Sequence, residues 1–185
     1  MNLRWLPNAI TISRMVLALP LLWLLMIDNY RFALWLALIA GMSDFLDGFL
    51  AKQYDWRSAL GGVLDPLADK LLLSVCFFGL WWSLHLPGWI VALVFARDLV
   101  IVVGAFVWWR VIGTFKPAPS PLSKTNTVAQ IGLVALILAN LAWRPVPMTL
   151  LQAMLLAVAA LTVISGLDYV IRYGLRAWRA RESGQ

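Results

Sequence analysis

Long apolar runs, each interrupted by a short cluster of charge, proline or glycine, follow one another along the whole chain. A hydrocarbon layer about 30 Å thick is crossed by roughly 20 apolar residues in a helix. On that scale six spans are predicted, at Asn8–Ile27, Arg31–Leu50, Ser58–Leu84, Trp89–Arg110, Thr125–Ala142 and Met148–Ile171. The first follows a short N-terminal segment with no small-residue cleavage site, so it reads as a retained helix and not as a removed signal. The expected fold class is all-α: a polytopic integral membrane protein of six transmembrane helices, forming one membrane domain over residues 1–185.

Composition agrees with the pattern. Hydrophobic residues make up 62% of the 185, against about 45–50% in soluble domains, which need polar surface. Lys and Arg in short loops stay cytoplasmic. With the N-terminus inside, Arg4, Arg14, Lys52, Arg57, Arg110, Lys116, Lys124, Arg172, Arg176, Arg179 and Arg181 fall on the cytoplasmic side. Only Arg31 and Arg144 fall outside, and Lys70 and Arg97 lie within spans. Tryptophans such as Trp5, Trp56, Trp81 and Trp143 mark span ends, as interfacial anchors do. The expected location is a bacterial inner membrane, with both termini cytoplasmic.

The net charge of +6 does not point to nucleic acid, because the basic residues follow helix ends and form no separate module. Anionic lipid head groups are the better partner. Cys76, the one cysteine, lies in an apolar span and is read as packing. His85, the one histidine, is expected alone and solvated in an external turn, and the C-terminal "RAWRARESGQ" is expected to be a frayed basic tail.

Against this apolar background the stretch "SDFLDGFLAKQYDWRSALGGVLDPLADK" stands out. Asp44 and Asp47 are three residues apart and Asp65 and Asp69 four apart, so each pair shares one helix face. The polar connection between them is short, which makes the two helices antiparallel neighbours. Four carboxylates gathered in a partly dry site repel one another unless cations neutralise them. Mg²⁺ or Mn²⁺ suits such an oxygen-only set, and a pair of these ions clamps both sides of a displacement at phosphorus. Each aspartate taken singly could instead be a helix-end charge paired with Lys52, Arg57 or Lys70. Gly48, Ala51, Gly61 and Gly62 favour close helix approach or a ligand lying against backbone.

The string Asp44-x-x-Asp47-Gly48-x-x-Ala51-Lys52, then eight residues to Gly61, three to Asp65 and three to Asp69, resembles the signature of the CDP-alcohol phosphatidyltransferase family. One position departs from it: Lys52 stands where the family usually has arginine, which keeps the charge but loses the planar two-pronged phosphate grip. The resemblance implies a six-helix membrane enzyme, usually a homodimer, that holds two divalent cations through Asp44, Asp47, Asp65 and Asp69. It further implies that Asp69 serves as the catalytic base, and that Asp44, Gly48, Ala51, Lys52 and Gly61 bind the CDP portion of CDP-diacylglycerol. The active site would lie at the cytoplasmic face.

The acceptor alcohol has to be read outside that signature. "NAITISR" places Asn8, Thr11 and Arg14 on one face of the first helix, where capping plus a snorkelling arginine and head-group contact are both open. Arg97 lies inside the fourth span beside Asp98, where charge is costly, and is expected to serve the acceptor's phosphate; Asp168 could simply pair with Arg172. In "PSPLSKTNTVAQIG", Ser123, Lys124, Asn126 and Thr127 are expected to open the fifth helix, with free backbone N–H groups and one cation as a phosphate seat.

Within the family, phosphatidylglycerophosphate synthases usually show Gly-Lys-x-Lys-Thr there. This chain has Asn126 in place of the second lysine, which looks more like the CMP-forming cardiolipin synthases. Losing one cation suits monoanionic phosphatidylglycerol better than dianionic glycerol 3-phosphate. The expected acceptor-binding set is Arg57, Arg97, Lys124 and Asn126. An intramembrane prenyltransferase, or a carrier that uses the four carboxylates to pass cations, are the alternatives from other classes. Neither explains the Gly48–Ala51–Gly61 frame, and a carrier site is expected at the midplane between related halves.

Overall fold

The computed structural model describes residues 6–53, 61–112 and 120–182, with the side chains of residues 9, 11–43, 67–108, 110 and 120–172. Six helices account for nearly all of these residues: α1 (Leu6–Met26), α2 (Tyr30–Gln53), α3 (Gly61–Trp82), α4 (Gly88–Ile112), α5 (Pro121–Ala142) and α6 (Met148–Glu182). No strand is found among the described residues. Each predicted span has its helix, with ends shifted by a few residues as charged and capping residues extend the apolar core.

Helix α6 departs furthest from the prediction. It runs 35 residues to Glu182, so the backbone of "RAWRARE" is helical where a frayed tail was expected. Ala, Leu, Arg and Glu are strong helix formers, and the basic residues oppose the negative C-terminal end of the helix dipole.

Membrane character is carried by α4, α5 and α6, whose stretches Gly88–Trp108, Pro121–Ala142 and Met148–Arg172 are long and apolar enough to cross a bilayer. Helices α1 and α2 contribute the shorter apolar stretches Thr11–Met26 and Tyr30–Ser43. Large side chains such as Leu19, Trp23, Phe32, Leu99, Phe106 and Leu156 lie on the surface. A band of that size would drive aggregation in water, and it is satisfied by lipid. Pro20 sits inside α1, where the loss of one backbone hydrogen bond is tolerated in membrane helices.

The chain divides into two compact units, Met1–Leu86 with Val134–Val146, and Pro87–Leu133 with Pro147–Gln185. In the first unit α1 packs along both α2 and α3 around Leu21, Leu25, Leu34, Phe77 and Leu80, all buried. Gly79 makes the α1–α3 approach possible: a Cβ there would lie 2.6 Å from Leu25 Cδ1 and 2.8 Å from Leu25 Cβ.

Both helix ends at one side of this unit close with the same hydrogen-bond pattern. Asn29 N–H donates to Leu24 C=O and Asp28 N–H to Leu25 C=O, while His85 N–H donates to Leu80 C=O and Leu84 N–H to Trp81 C=O. The pattern puts the residue after each cap in the left-handed region, at φ 58° for Asp28 and 61° for Leu84. At the end of α5, Arg31 Nε donates to the Ala142 carbonyl at 3.0 Å, placing a cation where helix carbonyls lack partners.

In the second unit α4 packs along α6. Gly104 admits Tyr169 and Gly166 admits Arg97 at this seam. The Tyr169 hydroxyl donates to the Ile101 carbonyl at 3.1 Å.

Candidate active site

In the first unit the signature helices carry their aspartates at the expected register. Asp44 and Asp47 lie on the helical backbone of α2, and Asp65 and Asp69 lie one turn apart on α3. Gly48, Ala51 and Lys52 follow on α2, and Gly61 is the first residue of α3. Arg57 and the side chains of Asp44, Asp47, Lys52 and Asp65 lie outside the described residues. Among those described, no group of three or more His, Cys, Asp or Glu side chains converges.

Asp69 is described in full. Its Oδ1 accepts from Arg14 Nη1 at 2.6 Å, across from α3 to α1. Arg14 is 1% exposed and Asp69 48% exposed. A guanidinium this deep in an apolar core needs a counter-charge, and the signature aspartate supplies it. Thr11, one turn earlier on the same face, is also fully buried. The open question about "NAITISR" is therefore answered for Arg14: it does not snorkel, and it holds the carboxylate to which the family resemblance assigns the base.

The aspartates offer carboxylate oxygens alone, the donor chemistry that Mg²⁺ and Mn²⁺ prefer over Zn²⁺ or copper. Half-exposed Asp69, held by Arg14, is compatible with such a role, so the residues present fit divalent ions of this kind.

A second polar centre occupies the second unit. Arg97, 7% exposed, donates from Nη1 to Asp98 Oδ1 at 2.8 Å, from Nη2 to Ser123 Oγ at 2.6 Å and from Nε to Ser165 Oγ at 3.2 Å. One side chain thereby ties α4, α5 and α6 together. Asn126 is fully buried, and its Oδ1 accepts the Thr162 hydroxyl at 3.0 Å. Lys124 is exposed in the first turn of α5.

The helix start itself differs from the expectation. Helix α5 begins at Pro121 with Ser120 as its cap: Ser123 N–H donates to Ser120 Oγ at 3.2 Å, and Lys124 N–H to Ser120 C=O at 3.1 Å. Proline at the first helical position and serine just before it are favoured there. The backbone N–H groups of Ser123 and Lys124 are thus used within the helix, which leaves the lysine charge and not those amides to meet a phosphate.

His85 also differs. It is exposed, but its ring lies 5.1 Å from that of Tyr30, and its Nδ1 is 2.5 Å from the Ser83 carbonyl. The α1–α2 and α3–α4 turns meet there because α1 packs on both neighbours. Cys76 is buried as expected. Asp168 accepts from Arg172 Nε at 2.6 Å, the pairing that the i, i+4 spacing suggests.

Sequence reasoning passed over Gln130, Thr162 and Ser165, all buried in this second centre. The signal was present: polar residues inside apolar helices at helical spacing, Asn126 to Gln130 and Thr162 to Ser165.

These features agree with what comparison with known proteins finds. The family model for CDP-alcohol phosphatidyltransferase matches residues 4–165, and the chain belongs to that family. Over 149 residues the chain is 35% identical to a human protein named cardiolipin synthase (CMP-forming), covering 72% of this chain and 50% of that relative. It is 34% identical over 127 residues to a CDP-diacylglycerol-glycerol-3-phosphate 3-phosphatidyltransferase of Aquifex aeolicus, covering 66% and 68% of the two chains. A Rickettsia bellii protein of that same name is 31% identical over 170 residues, covering 89% and 92%. The chain spans about half to three fifths of the length of the curated animal relatives it matches.

Proposed function

We propose that this chain transfers the phosphatidyl group of CDP-diacylglycerol to the hydroxyl of phosphatidylglycerol, releasing CMP and forming cardiolipin. Family membership supports the reaction class. The observation that carries the choice of acceptor is Asn126. The position where glycerol 3-phosphate enzymes of the family usually place a second lysine holds a neutral amide, fully buried and hydrogen-bonded to Thr162.

In this reading Asp44, Asp47, Asp65 and Asp69 hold two divalent cations, Mg²⁺ or Mn²⁺. When bound, these ions draw electron density from the donor's diphosphate and neutralise the charge of departing CMP. Gly48, Ala51 and Gly61 leave room for the cytidine beside Asp44, and Lys52 meets the diphosphate. Asp69 accepts the proton of the acceptor hydroxyl. The oxygen so freed forms a bond to the phosphorus of the phosphatidyl group, the bond from that phosphorus to the CMP oxygen breaks, and CMP leaves with the electron pair.

Arg14 holds Asp69 in place through its hydrogen bond to Oδ1. Arg57, Arg97 and Lys124 supply the positive field for the acceptor's phosphate. Arg97 is itself held by Asp98, Ser123 and Ser165, so in this reading it acts on the phosphate through its charge and not by direct contact. The whole chain acts as one membrane domain, as a homodimer in a bacterial inner membrane, with the site facing the cytoplasm.

The second reading is phosphatidylglycerophosphate formation from glycerol 3-phosphate. The Rickettsia relative, matched over nearly its full length, favours it by its name. Purified protein in mixed micelles with labelled CDP-diacylglycerol and Mn²⁺ separates the two. Labelled cardiolipin forming with phosphatidylglycerol, and little product with glycerol 3-phosphate, is the expected result; product with glycerol 3-phosphate alone refutes it. Asn126→Lys should raise use of the dianion about tenfold, the order of one added ion-pair contact.

A further inference from the structure

Asn126 and Gln130 lie one turn apart on α5, 0% and 3% exposed. Asn126 Oδ1 is engaged by Thr162, yet neither Asn126 Nδ2 nor Gln130 Nε2 has a hydrogen-bond partner within the described protein. Buried amide donors without acceptors are costly, and two on one helix face call for oxygens supplied from elsewhere.

Their surroundings are already committed. Arg97 is spent on Asp98, Ser123 and Ser165, and the Ser165 hydroxyl donates to the Thr162 carbonyl. What remains on offer is neutral N–H. Neutral donors match weakly charged oxygens, whereas phosphate oxygens are bound more strongly by guanidinium and ammonium groups.

Depth points the same way. At 1.5 Å per residue, Gln130 lies about 9 Å further along α5 than exposed Lys124, toward the uncharged stretch that follows it in the sequence. A soluble sugar phosphate has no group that belongs there. A diacyl lipid carries ester carbonyls just below its phosphate.

We propose that Asn126 and Gln130 form a seat for the uncharged glycerol-ester oxygens of a lipid acceptor, with Gln130 the residue that favours a lipid over a soluble alcohol. The inference rests on the chain being a phosphatidyl transferase, and it adds what the second half of the acceptor site reads.

The test compares wild type with Gln130→Met, nearly the same shape without donors, in mixed micelles. The expected result is a KM for phosphatidylglycerol raised about tenfold, with the KM for CDP-diacylglycerol and the melting temperature unchanged. Phosphatidylglycerol should also raise the melting temperature of wild type but not of the variant, a readout independent of turnover. An unchanged acceptor KM overturns the inference, as does a parallel rise of both KM values with a lower melting temperature, which would mark the amide as structural. If Gln130→Met does not accumulate, Gln130→Asn, one methylene shorter, is read by the same criteria. Wild type active with glycerol 3-phosphate alone overturns the lipid seat while the transferase reading stands; wild type releasing no CMP with any acceptor removes the transferase reading itself.

Discussion

In the proposed mechanism Asp69 serves both as metal ligand and as proton acceptor, and its contact with buried Arg14 bears on both roles. The guanidinium of Arg14 holds the carboxylate through a charge-assisted hydrogen bond, which fixes the direction in which it points. The 2.6 Å contact engages Oδ1, and the half-exposed position leaves the group within reach of substrate. Asp69→Asn should keep the fold, because its amide oxygen still accepts from Arg14, while turnover falls about 10²–10⁴-fold, the usual worth of a general base. Asp69→Ala should also unfold more easily, by about 1–3 kcal/mol, since it removes the carboxylate that faces the buried Arg14 cation. Arg14→Gln should lower activity about 10–100-fold and raise the Mn²⁺ concentration needed for half-maximal rate. Equal activity and metal demand in Arg14→Gln would show the pair to be structural only. Arg14 was visible in the sequence as one of three polar residues on a helix face. Its partner was not, since Arg14 and Asp69 are 55 residues apart and only packing of α1 on α3 joins them.

Among the elements, the existence and order of the six helices were legible because lipid imposes a length of apolar chain that composition displays directly. Helix ends were less so. Ser120 and Pro121 begin α5 ahead of the predicted span, as a capped polar turn adds to an apolar core without changing its hydropathy. The α1–α3 contact depends on Gly79, where Leu25 leaves no room for a Cβ. Gly79→Ala should force the two helices apart and cost about 1–3 kcal/mol, the range for overpacking a tight core. Because α1 carries Arg14 and α3 carries Asp69, activity should fall along with the thermal midpoint in detergent. Retention of both would mean that Leu25 swings aside freely. Leu84 is strained differently, with φ 61° in a turn that favours glycine, a conformation that lets Leu84 N–H and His85 N–H cap the last carbonyls of α3.

For the molecule as a whole, the side of the membrane is a matter of charge. The α3–α4 turn carries fully solvated Leu84, 90% exposed, and no lysine or arginine from Ser83 to Pro87. Lys116 precedes α5 in the chain and Lys124 stands in its first turn. The charge rule predicts that the α3–α4 turn faces outward and the start of α5 inward. In a Cys76→Ala background, Leu84→Cys should react with an impermeant maleimide in intact cells, and Lys124→Cys only after the membrane is opened; the reverse order would invert the topology and move the site to the other face. Six apolar spans, their charge bias and an acidic signature at helical spacing follow from local pattern, and such features are properties of neighbours in the chain. The pairing of buried Arg14 with half-exposed Asp69, the three-helix tie at Arg97 and the spare amides of Asn126 and Gln130 depend on which helix faces meet. No one-dimensional pattern contains that, because a polar residue in an apolar helix looks the same whether its partner is present or not.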